Sequence, residues 1–130
     1  MRISSKAVVK EILEKIKPMT ILDAPCGQGW LREFLAYDCT IDGVDLYDDP
    51  KSGYRQVLKH DLDNGLPKLP KGEKRYECIC CCEGIEHFGN PLKFMTDAHE
   101  LLEENGLFVV TTPNIWNPAS KIQLLTEPVP

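Results

Sequence analysis

The chain of 130 residues predicts one α/β domain in three layers, with a mostly parallel sheet between helices. Two patterns carry this reading. Five short, continuously apolar runs recur along it: "MTILDA", "CTIDGVD", "RQVLKHD", "YECICCC" and "LFVVTT". Runs of that kind suit strands covered on both faces. The segments between them are helical in period or too long for hairpins, which favours parallel pairing. The length allows one domain with a real core and is short for two.

Each element has its own signal. Ser4 or Ser5 can cap a first helix, in which Val8, Val9, Ile12, Leu13 and Ile16 recur at helical spacing. Glu11 and Lys15 form a favourable i,i+4 pair on its opposite face, and Pro18 ends it. "WLREFLAY" reads as a short helix after the first strand. The connections "LYDDPKSGY" and "DNGLPKLPKGEKR" show no helical period, so one face of the sheet should carry fewer helices than usual. Asn90 and Pro91 supply a cap and first turn. Phe94, Met95, Ala98, Leu101 and Leu102 then make one apolar face, and Asn105-Gly106 stops the helix. The expected organisation is a leading helix over residues 1–18, a core over 19–114 and a tail over 115–130.

A net charge of −5 without a Lys/Arg cluster argues against a nucleic-acid or anionic-membrane surface. No apolar run approaches the ~20 residues of a membrane span, and "MRISSKAVVKEI" has no signal-peptide core, so the expected location is cytoplasmic. Of the six cysteines, Cys78, Cys80, Cys81 and Cys82 crowd one stretch, apart from Cys26 and Cys39. A disulfide framework would spread them out, and a zinc site would show paired C-x-x-C motifs or a nearby His pair. They read as small apolar residues of a buried strand, with no metal expected.

Ligands of open parallel sheets bind beyond the carboxyl ends of the strands, where strand order reverses. "DAPCGQG", Asp23 to Gly29, is the loop at the carboxyl end of the first strand. Gly27 and Gly29 let the backbone turn sharply and a ligand lie against it. The dinucleotide fingerprint G-x-G-x-x-G fails, because its third glycine position is Arg32. Asp45 closes the second strand, where a carboxylate can take both ribose hydroxyls. Asp42, in mid-strand, and Asp48, past the bend, are weaker candidates for that role. Asp61 closes the third strand and, with Leu62, suits an adenine amino group and ring. A ligand with a carboxylate, a ribose and an adenine but no phosphate fits these loops, and S-adenosylmethionine is such a molecule.

"ILDAPCGQGWLREFL", "IDGVDLYD", "HDLDNGLP", "YECICCCEGIEHFGNP" and "LLEENGLFVVTTPN" resemble, in order and spacing, the motifs of class I S-adenosylmethionine-dependent methyltransferases. The resemblance runs from Thr20 to Asn114 and is closest to the small-molecule branch, including enzymes acting on quinones, sugars and cell-envelope precursors. It implies a Rossmann-like methyltransferase fold, with Asp23, Gly27 and Gly29 at the methionine part and Asp45 at the ribose. It also implies Leu46 beside the adenine, Asp61 and Leu62 at the adenine edge and face, and Cys82 and Glu83 at the methionine amino group. Pro25 stands where the family often has a glycine. The antiparallel strand pair that ends the family's sheet is expected to be missing after Asn114. That would leave five strands and an exposed fifth strand through which a homodimer could form.

Methyl transfer from a sulfonium needs alignment of the acceptor and, for some acceptors, removal of a proton. "CEGIEHF" offers Glu83, Glu86 and His87, of which His87 is the candidate base or acceptor-positioning group, or else a brace for its loop. His60 and His99 read as packing or surface residues, and Trp30 and Trp116 as lid, pocket wall or packing. The expected activity is methylation of a small-molecule acceptor. The competing readings are a non-catalytic cofactor-binding or interaction domain and, behind it, an NAD-dependent oxidoreductase.

Overall fold

A computed structural model describes residues 5–68, 75–82, 84–113 and 122–128. Its elements are α1 (Ser5–Ile16), β1 (Thr20–Asp23), α2 (Trp30–Phe34), β2 (Thr40–Asp45), β3 (Gln56–Lys59), β4 (Tyr76–Cys82), α3 (Pro91–Leu101), β5 (Leu102–Pro113) and β6 (Ile122–Pro128). One sheet runs in the order β3-β2-β1-β4-β5-β6. The first five strands are parallel, as the sequence predicts, and β6 is antiparallel to β5. Strand order reverses beside β1, which places the loop after it at the switch point.

Alternation along the strands sorts the core into two layers. Ile21, Cys78, Cys80 and Val109 face the side covered by Val9 and Leu13 of α1 and Leu31 of α2. Leu22, Ile79, Cys81 and Val110 face the other side, with Phe94, Ala98 and Leu101 of α3. The cysteines of β4 thus divide between the layers as small apolar side chains. Phe94 anchors the second layer: it is fully buried, with ring centroids 4.8 Å from Phe88 and 6.2 Å from Phe108. The β2–β3 connection is helix-free and the β3–β4 connection, among the described residues, holds one 3-10 turn at Leu62–Asn64. Tyr54 of the first connection packs on the layer of α1 and α2, and Leu62 and Leu66 of the second pack on the layer of α3. Among the described residues each face therefore has one lean connection, where the sequence predicted a single lean face.

A buried carboxylate locks the edge of the sheet. Register sets Asp42 opposite Gln56. Its oxygens accept Arg55 Nε at 2.9 Å, Gln56 Nε2 at 3.1 Å and Tyr76 Oη at 2.6 Å, besides Arg55 Nη2. Burial alone would raise this carboxyl, but those donors outweigh it and hold it below the usual aspartate value.

Several expectations are corrected here. The last helix stops at Leu101, before Asn105-Gly106, and β5 starts at Leu102, whose side chain is already in the core. Asn105, at φ 64°, falls where the β4–β5 register shifts between Tyr76 and Cys78, so the pair marks an irregularity inside a strand. Leu102 belongs to that strand, and Met95 is 45% exposed, off the buried stripe of Phe94, Ala98 and Leu101. The ion pair found on α1 is Lys10–Glu14 at 3.1 Å. The fifth strand is not an open edge, and the described residues give the sheet six strands rather than five. Residues 122–128 pair with β5 from Pro113↔Ile122 to Leu107↔Pro128 and take up the backbone groups that would otherwise template a second copy. Ser4 and Asn114 lie outside the described residues, among which no helix is long and apolar enough to cross a membrane.

Candidate functional site

The carboxyl ends of β1, β2 and β4 and the turn after β3 bring most of the predicted residues to one edge of the sheet. Gly27 (φ 52°) and Gly29 (φ 85°) sit in the left-handed region, which glycine alone enters without strain. A Cβ at Gly27 would meet nothing within 4 Å, so that face of the loop opens onto free space. The next glycine is closed instead: a Cβ at Gly29 would stand 3.1 Å from Lys51 Cβ in the β2–β3 loop.

Asp45 ties this loop to β2. Its Oδ2 accepts the Gly27 N–H at 2.9 Å and its Oδ1 the Leu46 N–H at 2.8 Å. Leu46 and Tyr47, just beyond, are 53% and 72% exposed and give the edge an uncovered apolar flank. Pro25 has a counterpart on the neighbouring strand's loop, since a Cβ at Gly84 would lie 2.8 Å from its Cδ. The loops after β1 and β4 therefore pack directly against each other.

Asp23 is fully buried at the end of β1. Its Oδ2 accepts the Tyr54 hydroxyl at 2.6 Å, while Oδ1 is buried with no hydrogen-bond partner among the described residues. Burial pushes this carboxyl up to about 7, with the Tyr54 hydrogen bond opposing the rise and Asp45 adding repulsion. Tyr54 went unread in the sequence. The signal available was an aromatic residue, after Gly53, in a loop that must fold back from one acid-ended strand to begin the next.

Asp61 lies two residues past β3 and caps the 3-10 turn Leu62–Asn64, accepting the Asp63 N–H at 3.0 Å. Leu62 is 7% exposed and packs in the core, so the structure leaves only its margin at the edge. Asp63 in turn accepts the Gly89 N–H at 2.7 Å, joining this turn to the segment before α3. Cys82 ends β4 half-buried, its thiol pushed up by burial and by Asp23. Glu83 and Trp116 lie outside the described residues.

The remaining candidates are peripheral or structural. His87 closes the 3-10 turn Ile85–His87, with a side chain 80% exposed and Nε2 3.5 Å from Glu86 Oε1. Trp30 packs edge-on to Phe34 at 5.4 Å beneath the Lys6 ammonium, bracing α2 against α1. His60 Nε2 stands 3.5 Å from the Asn64 carbonyl and His99 is exposed on α3. Arg32, at the third-glycine position, donates to the carbonyls of Leu35, Tyr37 and Cys39 and closes the end of α2.

Comparison with known proteins bears on this edge. A family model described as a methyltransferase domain matches residues 4–127. Ubiquinone biosynthesis O-methyltransferase of Dechloromonas aromatica is 29% identical over 114 residues, covering 77% of this chain and 46% of that protein. The protein of the same name from Dinoroseobacter shibae is 30% identical over 114 residues, covering 80% and 44%. The chain thus spans about half the length of the curated relatives it matches. Among solved structures, a putative methyltransferase from Bacillus halodurans superposes with a TM-score of 0.66 at 20% identity, over 85% of this chain and 51% of the other. A plantazolicin methyltransferase in complex with SAH gives a TM-score of 0.65 at 19% identity, over 85% and 46%.

Proposed function

Because this chain belongs to the methyltransferase domain family, we propose that it binds S-adenosylmethionine along the carboxyl edge of its sheet and methylates a small-molecule acceptor. The observation that carries the reading is the Asp45 carboxylate. It holds the Gly27 N–H at 2.9 Å, so the ribose acid and the open glycine meet at one point. Residues 19–114 form the cofactor-binding core in this reading.

Bound there, S-adenosylmethionine supplies a methyl group already activated on a sulfonium. Asp45 takes the ribose hydroxyls with the acceptor capacity left after its two backbone hydrogen bonds. Leu46 lies beside the adenine, whose edge meets Asp61 and whose face meets the margin of Leu62. Gly27 keeps the loop clear for the methionine part, with Asp23 beneath it, while Gly29 lets the loop turn back against Lys51. The carbonyl of Cys82, with Glu83, receives the amino group. His87 acts on the acceptor as base or positioning group, from a turn at the mouth of the site. The names of the relatives favour a quinone-type acceptor over the sugar and cell-envelope types.

A non-catalytic binding domain is the second reading, favoured by the exposure of His87, which no described residue encloses. Arg32 speaks against an NAD-dependent oxidoreductase, because its guanidinium fills the third-glycine position and is committed to α2. Calorimetry with S-adenosylmethionine, S-adenosylhomocysteine and NAD tests all three. Binding of both adenosyl ligands is expected, and binding of NAD alone would overturn the proposal. Methyl incorporation from labelled cofactor in a metabolite-pool screen separates enzyme from binder.

A further inference from the structure

Tyr54 bridges the loop before β3 to the buried end of β1, and no expectation from the sequence assigned it a part. Its hydroxyl donates 2.6 Å to Asp23 Oδ2, which leaves Oδ1 as the buried oxygen without a donor among the described residues. The ring is held from both sides. A Cβ at Gly43 would stand 3.2 Å from Tyr54 Cδ2, and one at Gly29 3.4 Å from Cε1. The Tyr54 N–H also closes a turn onto the Lys51 carbonyl at 3.0 Å. The hydroxyl is therefore fixed by β2, the glycine loop and its own turn together.

We propose that Tyr54 is a positioning residue for the cofactor: it orients the Asp23 carboxylate so that Oδ1 takes one N–H of the ligand's positively charged amino group, whose other N–H donors are left for the Cys82 carbonyl and Glu83. The inference rests on the adenosyl-cofactor reading above. An ammonium seeks a carboxylate in a site shielded from water, because a charge-assisted hydrogen bond is about twice as strong as a neutral one. The groups facing Asp23 are Tyr54, Asp45 at the end of β2, Cys26 of the glycine loop, and Cys80, Cys81 and Cys82 of β4. Burial pushes the Cys26 thiol up to about 11 and that of Cys81 to about 12, and it raises those of Cys80 and Cys82 as well, the Cys80 rise led by its hydrogen bond with Cys78. The Tyr54 phenol is raised too. These groups stay neutral while Asp23 ionises. Of the causes acting on Asp23, the Tyr54 hydrogen bond is the one that lowers its pKa.

The test is calorimetric titration of S-adenosylhomocysteine into the wild-type chain and Tyr54→Phe from about pH 6 to 9. Wild-type affinity should rise through the range in which Asp23 ionises. In Tyr54→Phe it should be about tenfold weaker near pH 7, the loss expected for one charge-assisted hydrogen bond, and should recover toward higher pH. A merely structural tyrosine would weaken binding by one factor at every pH, and that result would overturn the proposal. Asp23→Asn supplies a second arm that keeps the hydroxyl's acceptor: its weaker binding should show no pH dependence across this range, and a retained wild-type profile would also overturn it. A wild-type chain that binds no adenosyl ligand sinks the cofactor reading itself, whereas a Tyr54→Phe profile superposable on wild type sinks only the role of Tyr54.

Discussion

Replacing Asp23 with Asn removes a charge that the interior of the protein otherwise carries at neutral pH. The carboxyl lies at about 7, against an ordinary 3.8, because it is fully buried. An acid raised by folding stabilises the folded state fully below its unfolded value. That contribution declines as pH climbs and is lost once pH passes the folded value, here about 7. The interval is about three pH units, each worth about 1.4 kcal/mol, so the wild-type chain forgoes up to about 4 kcal/mol between about pH 4 and 7. Asn keeps an acceptor for Tyr54 but places an amide N–H where Oδ1 has no partner among the described residues, at a cost of about 1–3 kcal/mol at every pH. The variant should therefore be more stable than wild type by about 1–3 kcal/mol near pH 8, and less stable by a similar amount near pH 4. Urea unfolding followed by circular dichroism across that range measures the crossing. Parallel pH profiles for the two proteins would refute the argument, since they would show that Asp23 titrates alike in both states.

Asp45→Ala should weaken S-adenosylhomocysteine binding by roughly 1–3 kcal/mol in calorimetry, through lost ribose contacts and a Gly27 N–H left without its acceptor. Asp42→Ala should cost about 3 kcal/mol in denaturant unfolding near pH 7, because it strands Arg55, Gln56 and the buried Tyr76 hydroxyl. Asp42 is held below the ordinary value. Its stabilisation is therefore present above the unfolded pKa and lost as pH falls through the folded one, and the penalty should shrink on acidification. Phe94→Ala should cost about 3–5 kcal/mol and lower the thermal midpoint with no change in ligand stoichiometry, since the ring packs in the layer under α3.

Local chemistry made much of the fold readable. The apolar runs of β1, β2 and β4 needed only their composition, and Asn90 announced α3 by a side chain that does accept the Lys93 N–H, at 3.1 Å. The end of that helix was less legible. Asn105-Gly106 has the residues of a helix stop, yet the burial of Leu102 against β4 had already turned the chain into a strand. A tertiary contact overrode a local signal there. The strand at residues 122–128 was missed for a related reason: pairing with β5, rather than an apolar run of its own, defines it. At the site, Asp45 and the two glycines announce themselves by position at strand ends. Tyr54 does not, because its partner Asp23 lies thirty-one residues away and only the folding of the β2–β3 loop joins them.

Pro25 stands where the family often has a glycine, and its neighbour in the loop after β4 gives that departure a consequence. The ring occupies the space in which a side chain at Gly84 would begin, 2.8 Å from the nearest ring carbon. The constraint runs one way. While the proline stays, Gly84 cannot gain a side chain; glycine in place of Pro25 would remove the tightest of the contacts there and leave Phe88 Cζ at 3.4 Å. The proline thus fixes the glycine, and the glycine leaves the proline free to change.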